Sequence, residues 1–386
     1  MKHIKLDPQQ KEALNNIKTG SILCGGTGSG KSITSLAYYF VIECKGSIEP
    51  FGKMKKPKDL YIITTAKKRD SLDWNRECSR FCMSINSPEN SINNVKVIID
   101  SWNNIQKYKN IKNAFFIFDE QRLVGNGSWV KNFYTIVKNN NWILLSATPG
   151  DNWNDYVPVF IANGFYKNRT EFEARHAVFN RFVKFKKIDR YVDINILNKL
   201  KRSILVEMSS SKKTIQHHTT IQVNYDKKMY ATVGEDRWNP YENCPIVNAS
   251  QYCYTLRKVC NSDLSRIMYI KNTLLEKHKK IIIFYNYNYE LEIIKKYLSN
   301  FENYEFKEYN GHKHQDIPTS DKWIYAVQYF SGAEAWECLT SNTIVFYSEN
   351  YSYKIMIQSA GRIDRRITPF IDLYYYHFNS NSPIDK

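Results

Sequence analysis

Among the eight cysteines of this 386-residue chain (Cys24, Cys44, Cys78, Cys82, Cys244, Cys253, Cys260 and Cys338) there is no CxxC pair. Cys78 and Cys82 have no second ligand pair near them and His312-x-His314 stands alone, which argues against a structural zinc site. No apolar run approaches the roughly 20 residues needed to span a bilayer. The opening MKHIKLDPQQ lacks the apolar core of a signal peptide. The expectation is a cytoplasmic protein with reduced thiols and no membrane partner. Repeats of solenoid period and low-complexity tracts are also missing.

Acid is the scarce charge. Asp plus Glu number 38 against 55 Lys plus Arg, a formal charge of +17. That balance favours a polyanionic partner, although lysine enrichment from an AT-rich genome gives the same excess, and the abundant Asn, Ile and Tyr fit it. Aromatic residues make up 15% of the chain, too many for a disordered one. The length suits two or three domains with their own cores.

Residues 21–32 read SILCGGTGSGKS. Gly25, four residues, then Gly30-Lys31-Ser32 is the full GxxxxGK[ST] pattern, over Gly25, Gly26, Thr27, Gly28, Ser29 and Gly30. Glycines let successive backbone N–H groups curl into an anion-binding nest. Lys31 then reaches the terminal phosphates of a nucleotide, and the Ser32 hydroxyl takes a ligand position on Mg²⁺. A short apolar strand precedes the loop and an apolar helix, SITSLAYYFVIEC, follows it with its positive end toward the phosphates. A chance glycine-rich turn is the bland alternative.

NAFFIFDEQR supplies a carboxylate pair. Phe115 to Phe118 form a continuous apolar run, as in a strand buried on both faces. Asp119 and Glu120 emerge at its carboxyl end, where α/β sheets place their ligands. Asp119 is expected in the Mg²⁺ shell and Glu120 beside the attacking water. Near the other end of the chain, QSAGRIDRR places Gln358, Gly361, Arg362 and Arg365 at i, i+3, i+4 and i+7, one face of a helix. Taken alone, that face reads equally as solvated basic surface.

Together these motifs resemble superfamily-two helicases. NWILLSATPGD carries Ser146-Ala147-Thr148, similar to their coupling motif III, and LDPQQKEAL is similar to the segment that opens many of them, with Gln10 in the adenine-reading place. QSAGRIDRR matches their QxxGRxxR motif VI, with Gln358 in the coupling set. The resemblance implies that Arg362 and Arg365 face a phosphate bound by a different domain. It implies an α/β fold of two RecA-like parallel-sheet domains in tandem, residues 1–163 and 266–386. The segment between, 164–265, is similar to the small, mainly helical connector of Swi/Snf-type translocases. The implied cofactors are ATP and Mg²⁺. The implied activity is that of a monomeric, ATP-driven DNA helicase or translocase of the compact kind found in bacteriophage replication or recombination modules, with any nuclease or replication activity left to separate partners.

The nucleic-acid contacts implied by the family fall on the loops after the second and third strands, at Thr65, Lys67, Lys68 and Ser101. Trp102 reads as a packing residue, with base stacking as the alternative. Four positions depart from the family pattern. Gln121-Arg122 replace its usual residues after the carboxylates, which puts the coupling detail in question. Ala335 and Glu337 replace the usual Gly and Asn of SGAEAWECL, which resembles motif V. Two other functions stay open on sequence grounds: a ring-forming P-loop ATPase that remodels proteins, and a nucleic-acid-binding module whose ATPase has decayed.

Overall fold

Apolar runs flanked by glycines and charges dictate the layout seen in the computed structural model, which describes residues 4–385 except 27, 86, 88, 90–92, 121, 122, 124, 126, 151, 181–185, 209–213, 333–335 and 366. The chain divides into two compact units, Met1–Ser211 and Lys212–Lys386.

The first unit is built on a six-stranded sheet. Its strands are β1 (Ile22–Gly25), β2 (Leu60–Thr64), β3 (Val97–Ser101), β4 (Phe115–Asp119), β5 (Asn141–Ser146) and β6 (Leu205–Met208). They lie in the order β6-β1-β5-β4-β2-β3, every pairing parallel. The two-residue period of each strand feeds two separate cores. Leu23, Ile62, Phe115, Ile117, Ile143 and Leu145 pack on one face. Ile22, Tyr61, Ile63, Phe116, Phe118, Trp142 and Leu144 pack on the other. Both faces are covered, which is why these strands read as unbroken apolar runs.

The second unit repeats the plan with β7 (Ile215–Gln222), β8 (Lys280–Tyr285), β9 (Glu305–Tyr309), β10 (Trp323–Gln328), β11 (Thr343–Phe346) and β12 (Asp372–Asn379). The order is β7-β12-β11-β8-β10-β9, again all parallel. Ile281, Ile283 and Tyr285 face one core, Ile282 and Phe284 the other. The fold class is therefore α/β, with two parallel-sheet units in tandem.

Residues 164–265 are divided between the units. Leu205–Met208 forms the edge of the first sheet beside β1, and Ile215–Gln222 forms the edge of the second beside β12. The sequence of β7, IQHHTTIQ, is polar and almost wholly exposed. No apolar run marks it, and only the unpaired edge of β12 makes it a strand. Among the described residues no helix is long and apolar enough to cross a membrane.

Candidate nucleotide site

The glycine-rich loop leaves the carboxyl end of β1 and enters helix α1 (Lys31–Ala37), which continues as a π-helical turn over Tyr38–Glu43. Gly28 and Gly30 both have left-handed backbone, φ 78° and 85°. A Cβ on Gly30 would also fall 2.2 Å from the Gln10 side-chain amide nitrogen. Gln10 is buried, and its Oε1 accepts from the Asp7 backbone N–H at 2.9 Å. The residue expected to read adenine thus lies against the phosphate loop. Gly30→Ala should destabilise the first unit by about 1–2 kcal/mol through the backbone alone, and more through the clash. Chemical denaturation compared with Gly26→Ala checks it, because a Cβ on Gly26 meets nothing within 4 Å.

Lys31 folds back onto its own loop. Its Nζ donates to the Gly25 carbonyl at 2.6 Å and the Gly26 carbonyl at 3.0 Å. Burial pushes its pKa below the ordinary lysine value; Glu120 works against that and Lys68 adds to it. Ser32 is half-buried on the first turn of α1, and its carbonyl accepts from Ser35 Oγ. Ser29 Oγ is buried with no hydrogen-bond partner among the described residues. Thr27 lies outside them.

Asp119, the last residue of β4, is 2% exposed. Its Oδ2 accepts from Thr64 Oγ1 at 2.9 Å and from the Trp74 indole N–H at 2.9 Å, and pairs with Lys68 Nζ at 2.7 Å. Burial works against both charges and their pairing outweighs it. Asp119 is held below the usual carboxylate range and Lys68 above its own. Glu120 follows with φ 60°, a left-handed backbone that a non-glycine residue holds only where its surroundings enforce it. Gln121 and Arg122 lie outside the described residues.

At the end of β5, Ser146 is buried and its Oγ accepts from the Thr148 backbone N–H at 3.1 Å. Thr148 Oγ1 is buried without a partner among the described residues. Gln10, the glycine-rich loop, Asp119, Glu120, Ser146 and Thr148 therefore all belong to the carboxyl-end loops of the first sheet or to the segment packed on them. Two orphaned hydroxyls, a carboxylate kept ionised and a loop open at Gly26 make a donor set that fits a nucleotide phosphate with Mg²⁺, an ion usually held by one or two protein oxygens plus substrate and water.

The residues expected to touch nucleic acid occupy more specific places. Thr65 caps helix α2 (Ala66–Asp70), its hydroxyl accepting from the Lys68 backbone N–H at 3.2 Å. Lys67 is half-buried on that helix. Lys68, read from sequence as a phosphate contact, is paired with Asp119. Ser101 is buried, and its N–H donates to Asp100 Oδ1 at 2.7 Å. Trp102 is 2% exposed, stacks on Phe118 and donates its indole N–H to the Asp119 carbonyl at 3.0 Å. Packing is its role here.

In the second unit, the helix of QSAGRIDRR stops sooner than its spacing suggests. Helix α4 (Tyr353–Ala360; α3 is Asp73–Arg80) ends at Ala360, with Gly361 as its cap. Arg362 and Arg365 lie beyond it. They converge through a shared acceptor and not through a helix face: Arg362 Nη1 donates to the Trp336 carbonyl at 2.7 Å and Arg365 Nη2 to the same oxygen at 3.2 Å. Arg362 Nε also donates to the carbonyl of Gln358, itself buried. Beyond the helix, Asp364 accepts from Thr214 Oγ1 at 2.9 Å and from Gln216 Nε2, at the start of β7. Ala335 and Arg366 lie outside the described residues, and Glu337 is exposed.

Sequence reasoning missed Thr64, Trp74 and Trp336. A hydroxyl at the end of β2 is a weak signal, and nothing in DWNRE marks Trp74 as a donor to a carboxylate 45 residues away.

No protein-family model matches the chain, and no curated protein matches it. Among solved structures, the SWI2/SNF2 ATPase core domain of Sulfolobus solfataricus is similar over 98% of this chain and 86% of that one, at 15% identity and a TM-score of 0.43.

Proposed function

We propose that the chain is an ATP hydrolase that moves along or unwinds DNA, as a compact helicase or translocase. The observation that carries this reading is one electrostatic cluster. The Lys31 ammonium feels Glu120, Lys68 and Asp119 together, at the carboxyl ends of parallel strands. Such a set suits the phosphates of a bound nucleotide.

In this reading the loop N–H groups and Lys31 hold the phosphates, and Gln10 lies where an amide can both donate to and accept from a base edge. Ser32 and Asp119 would hold Mg²⁺, which when bound neutralises charge on the terminal phosphates. Glu120 takes the proton of the attacking water. Ser146, Thr148 and Gln358 transmit the state of the site. Arg362 and Arg365 of the second unit supply charge to the transferring phosphate. The basic excess and Lys67 favour a polynucleotide partner.

Two results are expected. DNA should stimulate ATP turnover, and log affinity for DNA should fall linearly with log salt, because each neutralised phosphate releases counterions. Turnover assayed with single-stranded, duplex and forked DNA and with RNA checks the first, and a salt titration the second. Turnover indifferent to every polynucleotide would favour the protein-remodelling alternative.

A further inference from the structure

We infer that Lys68 is an internal counter-cation of the metal site: it holds the Asp119 carboxylate in place of a divalent ion, and a polyanion that draws Lys68 away frees that carboxylate for the ion. The inference rests on the nucleotide-site reading proposed above and concerns how that site is regulated.

The geometry is specific. Three donors meet on Asp119 Oδ2: Lys68 Nζ at 2.7 Å, Thr64 Oγ1 at 2.9 Å and Trp74 Nε1 at 2.9 Å. Thr64 and Trp74 are neutral donors, so Lys68 brings the positive charge that a divalent ion at this carboxylate would meet. Thr64 and Trp74 are fixed, at 0% and 1% exposure, one on a central strand and the other on α3. Lys68 is the donor that can leave. Its side chain is 27% exposed and extends on a flexible stem from the five-residue α2. That helix carries Lys67, Lys68 and Arg69 in succession, and Arg69 is already committed to Asp70 and Asp100.

Charge balance gives the same answer. Two lysines, 31 and 68, stand among two carboxylates, 119 and 120, and Lys31 donates to loop carbonyls. A divalent ion at Asp119 meets an ammonium already bound there, and the two cations compete for one carboxylate. A polyanion offers Lys68 an alternative partner on the α2 side, where the resemblance had placed phosphate contacts. The same lysine then serves both partners, Asp119 and the polyanion, in succession.

The test is Mn²⁺ binding, read by electron paramagnetic resonance in the presence of a non-hydrolysable ATP analogue, with and without duplex DNA. Lys68→Met should bind Mn²⁺ about fivefold more tightly than wild type, the factor one partly screened ion pair is worth. DNA should tighten Mn²⁺ binding in wild type and leave the variant unchanged. Lys68→Gln, which keeps a neutral donor beside Asp119, should behave like Lys68→Met and serves if that variant fails to fold. Trp74→Phe removes a neutral donor from the same oxygen; it should not tighten the ion and should keep the DNA response. Weaker or unchanged Mn²⁺ binding in both Lys68 variants, with the analogue still bound, overturns the inference and spares the nucleotide site. An analogue that does not bind wild-type protein overturns both.

Discussion

Glu120→Gln should stop ATP hydrolysis while ATP and Mg²⁺ stay bound, whereas Lys31→Ala should lose turnover through lost contact with the phosphates. The amide has almost the shape of the carboxylate but cannot take a proton from water. General-base removal of this kind costs about a hundredfold to ten-thousandfold in rate. Glu120 sits directly after the buried Asp119 on a left-handed backbone, so its placement is set by the strand end and survives the substitution. Lys31 differs because its Nζ lies on the Gly25 and Gly26 carbonyls. Alanine there removes the one cation built into the loop. The measurement is single-turnover hydrolysis beside equilibrium binding of a fluorescent ATP. Near wild-type turnover in Glu120→Gln would mean that another group activates the water.

Arg362→Ala and Arg365→Ala should each lose about a thousandfold in turnover while ATP still binds. Charge that develops on the transferring phosphate exists only in the transition state, so a group that meets it acts on rate and not on affinity. Arginine fingers are worth at least that factor. Lysine should rescue poorly, since a point charge cannot copy a planar fork. Both guanidiniums share the Trp336 carbonyl, so loss of either also loosens the loop that bears it. Thermal denaturation of each variant separates that effect, because a folding defect lowers stability and nucleotide binding together. Arg366→Ala is expected to be tolerated. Full turnover in the Arg362 and Arg365 variants would reduce QSAGRIDRR to basic surface.

The loop and carboxylate residues were legible because their constraints are local. Gly30 needs a positive φ that the sequence announces with glycine, and Asp119-Glu120 need only follow an apolar strand. The strands were legible for the same reason, since burial on both faces leaves an unbroken apolar run such as FFIFD. What tertiary structure alone decided lies where partners are distant in sequence. IQHHTTIQ carries no apolar signal and becomes a strand because β12 offers an open edge. QSAGRIDRR has helical spacing, yet its helix stops at Ala360, and Asp364 beyond it is held by Thr214 and Gln216, about 150 residues earlier. Lys68 looked like a lysine for phosphate on the strength of its loop. Only the folded sheet brings it to Asp119, 51 positions later in the chain, because a buried carboxylate must find donors wherever the fold supplies them.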